Sequence, residues 1–271
     1  MNVEVFSPGK LTKYLKLVGT RSNGMHELES EMVSLSFGDT LQLSEGSGIE
    51  ILDVDQILEV LGRELDEIPT DASNLISKAL HAVGNELHVR VLKRIPPGSG
   101  LGGGSSNAAA ILRYFLGGDT DISAESLGAD VPFCIKGGRA LARGVGEILE
   151  PLPYKFETLV LLLSPFGVAT GDVYRQFDLV GAGTGNGAND LEQAAIICEP
   201  RLRESRALLK SLSGSEPTLA GTGSTYFVSG SFETIDLAMI PIVKNGIRYA
   251  DLEAGEKQYR LVEVATLPAM A

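Results

Sequence analysis

The chain is short of cysteine, short of positive charge and empty of long apolar runs. Its two cysteines, Cys134 and Cys198, lie far apart. They make neither a zinc-ligand spacing nor a disulfide framework, so both are expected as buried free thiols of a cytosolic protein. No stretch approaches the roughly 18 apolar residues that a membrane helix needs. Residues 158–163, Thr-Leu-Val-Leu-Leu-Leu, are too few and read as a buried strand. Met1-Asn2-Val3-Glu4 has no basic n-region and no long apolar core follows, so no secretory signal is expected. Lysine and arginine number 23 against 35 aspartates and glutamates, a net charge of −12. That balance argues against general nucleic-acid binding. It leaves a phosphorylated small molecule open, because local charge decides that. Lys10, Lys13, Lys16 and Arg21 stand against Glu4 alone in the first 21 residues, and Lys93 and Arg94 form a second basic spot. No internal repeat is visible. A cytoplasmic location, no membrane contact and no obligate protein partner follow as expectations.

What is present suits a globular enzyme. With 271 residues, 44% hydrophobic and 21% charged, the chain makes one large domain or two modest ones with ample core. Strands are predicted over 3–6, 11–18, 28–37, 40–43, 139–143, 158–164, 225–229 and 258–267. Helices are predicted over 73–87, 105–116, 172–178, 189–197 and 201–212. Glu150-Pro151-Leu152-Pro153 marks a joint between halves. Residues 181–188, Gly-Ala-Gly-Thr-Gly-Asn-Gly-Ala, are expected to form a mobile surface loop.

The most informative stretch is Pro96-Pro97-Gly98-Ser99-Gly100-Leu101-Gly102-Gly103-Gly104-Ser105-Ser106-Asn107. Glycine takes positive φ cheaply and lets a ligand approach the backbone. A plausible strand at 88–92 precedes the loop, and an alanine-rich helix follows it. Free N–H groups and the positive end of a helix dipole therefore converge on the loop, which makes it a polyanion site suited to a nucleotide phosphate chain. A P-loop needs Lys-Ser or Lys-Thr after its last glycine, and that lysine is missing. The dinucleotide spacing is formally met by Gly98, Gly100 and Gly103, with Asp119 and Asp121 near the expected distance. Its context fails, because no hydrophobic second strand delivers the acid. A flexible linker is disfavoured, since linkers rarely end in an alanine-rich helix flanked by proline.

The third pattern, Pro-x-x-x-Gly-Leu-Gly-x-x-Ser-Ser, resembles the second motif of the GHMP kinases, the galactokinase, homoserine, mevalonate and phosphomevalonate kinase superfamily. Ser7-Pro8-Gly9-Lys10-Leu11 is similar to its first motif and Ala220-Gly221-Thr222-Gly223-Ser224-Thr225 to its third. Within the superfamily, Gly128-Ala129-Asp130-Val131-Pro132-Phe133 and Arg21-Ser22-Asn23-Gly24-Met25-His26-Glu27-Leu28 resemble segments of the 4-diphosphocytidyl-2-C-methyl-D-erythritol kinase family. Asn74-Leu75-Ile76, Lys93-Arg94-Ile95-Pro96, Gly144-Val145-Gly146-Glu147 and Asn189-Asp190-Leu191-Glu192 match the same pattern in the same order.

The resemblance implies a two-lobed α+β GHMP fold. An N-terminal lobe over 1–152 would resemble the second domain of ribosomal protein S5, and a C-terminal lobe over 153–271 would be ferredoxin-like. It implies ATP and Mg²⁺, with a cytidine diphosphate-linked methylerythritol as the second substrate. Asp130 would be the base on its 2-hydroxyl, and Lys10 would hold Asp130 ionised. Pro96, Pro97, Gly98, Ser99, Gly100, Leu101, Gly102, Gly103, Gly104, Ser105 and Ser106 would cradle the ATP phosphates, with Ser105 or Ser106 near Mg²⁺. Asn74, Leu75 and Lys93 would line the adenine pocket. Thr12, Met25, His26, Tyr174, Gly221 and Thr222 would meet the acceptor, His26 reading the cytosine edge and Tyr174 stacking on one face. Thr12 stands where asparagine is common, Lys13 where an apolar residue is usual, and Met25 where tyrosine is usual. Methionine can still cover a ring face with a polarizable thioether. Another GHMP kinase, of mevalonate or homoserine type, and an inactive nucleotide sensor on the same fold are the alternatives.

Overall fold

Two long strands organise the chain. β1 (Val3–Thr20) and β2 (His26–Ser44) form one antiparallel hairpin. Four shorter strands were expected there. The register instead slips at Pro8/Lys10, Thr12/Tyr14 and Leu17/Gly19, so bulges carry each strand past its own breakers. Gly38 permits the closest crossing, since a Cβ there would collide with the Ser7 carbonyl. The computed structural model describes residues 2–63, 68–117, 124–180, 187–237 and 240–270. Asp119, Asp121 and residues 181–186 lie outside them.

The chain continues through β3 (Gly48–Asp53), α1 (Ile57–Val60), α2 (Leu75–Ala82), β4 (His88–Lys93), α3 (Gly103–Leu116) and α4 (Val131–Lys136). Next come β5 (Arg139–Gly144), β6 (Ile148–Pro151), β7 (Thr158–Leu163), α5 (Thr170–Val180), α6 (Glu192–Cys198) and α7 (Leu202–Ser213). β8 (Thr218–Leu219), β9 (Tyr226–Ser229), β10 (Ile242–Lys244), β11 (Ile247–Ala254) and β12 (Lys257–Leu267) complete it. The strands join in the order β3-β4-β2-β12-β7-β9-β8, with β1 and β5 also on β2, β6 on β5, and β11 on β12 carrying β10. β12 is the seam. Arg260 to Ala265 pair with β7, and then Thr266 and Leu267 pair with Leu35 and Ser34 of β2.

Three apolar clusters form the core. Ile76, Ala79 and Leu80 of α2 and Ala108 to Leu112 of α3 pack on Leu41, Leu43, Val89 and Val91. Val173, Ala195 and Leu209 of α5, α6 and α7 cover Val160, Leu162 and Val228. Leu11, Val33, Leu35 and Phe37 meet Leu159, Leu161, Leu163 and Val264 in a third cluster under the seam. Each such fully buried side chain contributes about 1.5–3 kcal/mol relative to exposure.

Several boundaries differ from expectation for local reasons. α2 ends at Ala82, just before Gly84 at φ 64°. α3 starts two residues early, at Gly103, because Gly102 takes the N-cap in the left-handed region. α1, β3, β6, β8, β10, β11 and α4 are additional elements. β3 and β10 are short and bordered by turns, and α4 carries Pro132 in its first turn, so the periodicity is faint. Cys134 is buried as expected, whereas Cys198 ends α6 and is exposed.

Candidate active site

The glycine loop joins β4 to α3, and its glycines are required by contact rather than by flexibility. Gly100, at φ 79°, presses on the turn at residues 220–223, where a Cβ would collide with the Ala220 carbonyl. A Cβ on Gly102, at φ 69°, would come within 2.7 Å of Lys10 Cγ. Backbone N–H groups of Ser224 and Val168 donate to the Gly98 carbonyl, and Thr225 N–H donates to that of Ser99. The first intrahelical bond of α3 runs from Ser106 N–H to Gly102 O. The N–H groups of Gly103, Gly104 and Ser105 therefore lie at the positive end of the helix, facing a cavity of about 580 Å³.

Lys10 and Asp130 meet in that cavity. Lys10 leaves β1 just after its first bulge, and its N–H is held by the Leu101 carbonyl at 2.9 Å. Its Nζ lies 3.1 Å from Asp130 Oδ2 and 3.4 Å from Thr12 Oγ1. The Lys10 side chain is 8% exposed and that of Asp130 35%, so the amine is enclosed while the carboxylate keeps an open side. Asp130 occupies the N-cap of α4 without using its side chain to cap, which frees the carboxylate for the cavity. Nearby groups stay neutral. Burial, together with the charge of Asp130, pushes the Cys134 thiol up to about 12, and the same two causes push the Tyr174 phenol up to about 12. Neither competes with Asp130 for a proton near neutral pH.

Most of the sequence-predicted residues come together here. Lys10, Thr12, Asn74, Leu75, Lys93, Pro96, Pro97, Gly98, Ser99, Gly100, Gly102, Gly103, Gly104, Ser105, Asp130, Tyr174, Gly221 and Thr222 all line the cavity. Leu101 and Ser106 do not reach it. Leu101 is fully buried in the cluster under the seam, and Ser106 turns inward to donate to the Pro8 carbonyl. Met25 lies 46% exposed on the β1–β2 turn. His26 stands beyond the cavity wall, its ring stacked on Tyr174 at 5.5 Å and edge-on to Phe177. Asn74 caps α2 through Ile76 N–H at 2.9 Å.

Two of the three supporting residues escaped the sequence reading. Asp39 is fully buried and accepts from Lys93 Nζ at 2.5 Å, from Asn107 Nδ2 at 3.0 Å and from two backbone N–H groups. It neutralises Lys93 beneath the loop. Asn189 donates to the carbonyls of Leu219 and Gly221 and so fixes the third glycine turn. Arg63 donates to the backbone carbonyls of Pro97, Ser164 and Phe166 and to Ser224 Oγ, pinning the glycine loop to the second half of the chain. The Asn189 match was a visible signal. Asp39 and Arg63 gave none, because nothing local links them to their partners.

The family model described as GHMP kinases N terminal domain matches residues 72–138, the stretch from the α2 cap through the glycine loop to α4. The chain is 32% identical to the 4-diphosphocytidyl-2-C-methyl-D-erythritol kinase of Protochlamydia amoebophila (strain UWE25), covering 84% of this chain and 85% of that one. It belongs to this kinase family. The enzyme of the same name from Paracoccus denitrificans (strain Pd 1222) is 33% identical over 82% of this chain and 84% of its own. A solved 4-(cytidine 5'-diphospho)-2C-methyl-D-erythritol kinase superposes with a TM-score of 0.64 at 27% identity, covering 85% of this chain and 90% of that one. The fold is that of the GHMP kinases, as the motif order implied. Within the family pattern, Lys13 is explained by its ion pair with Glu157, which also pairs with Lys155. These charges tie β1 to the segment leading into β7, outside the cavity.

Proposed function

We propose that the chain transfers the γ-phosphoryl group of ATP to the 2-hydroxyl of 4-diphosphocytidyl-2-C-methyl-D-erythritol, a step in isoprenoid precursor synthesis by the non-mevalonate route. The observation that carries this reading is the Lys10–Asp130 pair at 3.1 Å, at the mouth of a glycine-walled helix N-terminus. Phosphoryl transfer rests mainly on positioning and charge stabilisation. The loop from Pro96 to Ser105 holds the phosphate chain through backbone N–H groups, with Asn74, Leu75 and Lys93 at the adenine end. Asp130 accepts the proton of the acceptor hydroxyl as its oxygen bonds to the γ-phosphorus. The bond to the β-phosphate oxygen breaks and ADP leaves. Lys10 positions the Asp130 carboxylate through their ion pair and offsets charge on the moving group. His26 and Tyr174 receive the cytosine, and Thr12, Gly221 and Thr222 flank the acceptor.

Mg²⁺ suits this wall. The described residues offer no cluster of three or more histidine, cysteine or carboxylate groups. Magnesium commonly takes one or two protein oxygens and leaves the rest to phosphates and water. Ser105 Oγ and the open side of Asp130 are the oxygens at hand, and the ion would supply charge neutralisation along the phosphates. We read residues 1–152 and 153–271 as the two lobes, with the acceptor between them, and a cytoplasmic small-molecule enzyme that needs no protein partner. No helix among the described residues is long and apolar enough to cross a membrane.

ADP release measured with and without the cytidine substrate tests the reading. Release that depends on that substrate supports it. Release driven by mevalonate or homoserine instead transfers the chain to another GHMP activity, and ATP binding without release makes it a sensor.

A further inference from the structure

Helix α4 separates two cavities. Asp130, at its N-cap, lines the glycine-walled one, whereas Phe133, Ile135 and Lys136 line a second of about 510 Å³. No residue lines both. The second is walled as well by Arg113 of α3, by residues of β5 and β6, and by Met270 near the end of the chain. Its volume falls within the range of small-molecule sites, about 300–1,000 Å³.

Charge sets this cavity apart on a chain that is acidic overall. Its lining holds Arg113, Lys136 and Arg139 and no aspartate or glutamate. Arg139 is already matched by Glu31, at 2.9 and 3.2 Å. Arg113 is not. One of its nitrogens donates to the Cys134 carbonyl and a second lies 3.5 Å from that of Phe6, with no carboxylate paired to it among the described residues. Burial lowers the pKa of its guanidinium, and no carboxylate opposes that shift. Lys136 is exposed, and its amine makes no hydrogen bond or ion pair among the described residues. Arg113 is anchored two residues before Lys136, so both unmatched cations stand at the C-terminal end of α4. The helix-end carbonyls of Phe133, Cys134 and Lys136 are bonded to Gly137 N–H, Arg113 and Met270 N–H. An anion there meets donors rather than bare oxygens.

Most of the remaining wall is apolar, from Phe133, Ile135, Leu149, Leu152 and Met270. Tyr154 is the one neutral polar side chain in the lining, and its hydroxyl donates to the Thr266 carbonyl at 3.2 Å. A nucleoside would leave its base edges without partners against such a wall. We propose that this cavity binds a small amphipathic phosphate, its apolar chain or ring on that wall and its phosphate on Arg113 and Lys136. A phosphate monoester carries about −1.5 to −2 near neutral pH and answers two cations, where a carboxylate answers one. The planar fork of arginine also suits two phosphate oxygens at once.

Calorimetry with hexyl phosphate tests this, with and without a saturating non-hydrolysable ATP analogue. One molecule should bind per chain in both cases. Hexanol and inorganic phosphate each meet half of the site and should bind about tenfold more weakly or worse, and hexanoate should also bind less tightly. Arg113→Met should cost about tenfold or more, the scale of one charge-assisted hydrogen bond, and Arg113→Lys should recover part of it. Lys136→Glu alters an exposed side chain with no partner to lose, so the fold should hold while hexyl phosphate weakens by about tenfold. Equal binding by wild type and Lys136→Glu overturns the proposal. So does displacement of hexyl phosphate by the ATP analogue, or hexanoate binding as tightly as the phosphate. None of these results bears on the kinase reading, which rests on the other cavity.

Discussion

The two ends of the site are built from different materials. At the phosphate end, Gly100 and Gly102 hold positive φ against backbone or Lys10, and the carbonyls of Gly98 and Ser99 are bonded to three N–H groups from the second half of the chain. At the base end, His26, Tyr174, Phe177 and Asp178 meet through side chains on the β1–β2 hairpin and α5. A backbone cradle fixes which residues may stand in it, because almost any Cβ is a collision. A side-chain cradle can exchange members and still close. That is why the glycine pattern is legible as a motif while the side chains of the other end are not.

Breaking the chemistry between the two ends should have the largest effect. Asp130→Asn keeps the shape and removes the proposed proton acceptor, so turnover should fall by roughly 10²–10⁴-fold. ATP binding, followed by calorimetry, should persist. Near-normal turnover under conditions where chemistry limits the rate would remove Asp130 from the role of base.

The phosphate end comes next. Gly100→Ala introduces both a collision and a strained φ, which costs on the order of 1–3 kcal/mol for the backbone alone. It should lower Tm and ATP affinity together. Gly104→Val is the sharper probe. Gly104 is exposed in the first turn of α3, and a Cβ there meets only Leu75 Cδ1 at 3.6 Å. Binding of a non-hydrolysable ATP analogue should weaken with Tm nearly unchanged. Equal binding in this variant and wild type would take the helix N-terminus out of the nucleotide site.

Substitution at the base end should be gentler. Met25→Tyr adds a ring at this turn, and base stacking is worth about 1–3 kcal/mol by alanine substitution. Methionine already supplies part of that, so the gain should be a few tenths to about 1 kcal/mol. It should appear in KM for the cytidine acceptor and not for ATP. An altered KM for ATP alone would mean that the hairpin turn serves the nucleotide instead.

The smallest effect lies outside both ends. Burial raises the Glu157 carboxyl, but hydrogen bonds from Lys13 and Lys155 outweigh it and hold the group below its usual value. A carboxylate depressed in the folded state adds stability above its unfolded pKa and loses it as pH falls through the folded one. Lys13→Met should therefore cost about 1 kcal/mol or less near pH 7. The difference in Tm from wild type should shrink as pH falls below the ordinary carboxylate range and through the lowered value of Glu157. A difference that persists there would mean that Lys13 acts by packing.

Much of this was legible in the sequence, and the part that was not has a common cause. The glycine spacing, the Lys10 and Asp130 motifs and the helix after the loop are local patterns, and they gathered as expected. Ser105 and Ser106 were indistinguishable as adjacent letters. Helix geometry separates them, turning one to the cavity and the other to Pro8. Asp39 and Arg63 were invisible, because each acts on a partner brought near only by the fold. The additional helices and strands other than β11 were likewise short elements with too few residues for periodicity to register.

The seam strand has a bearing on how the molecule is made. β12 joins β7 to β2, and its pairing of Thr266 with Leu35 closes a loop of about 230 residues, the kind of distant contact that slows folding. On the ribosome, every other strand emerges before residues 257–267 do. The third apolar cluster, which includes Val262 and Val264, is completed only then. During synthesis the nascent enzyme therefore carries an open sheet edge beside unburied leucine and phenylalanine, a state that chaperones hold and crowded overexpression turns into aggregate.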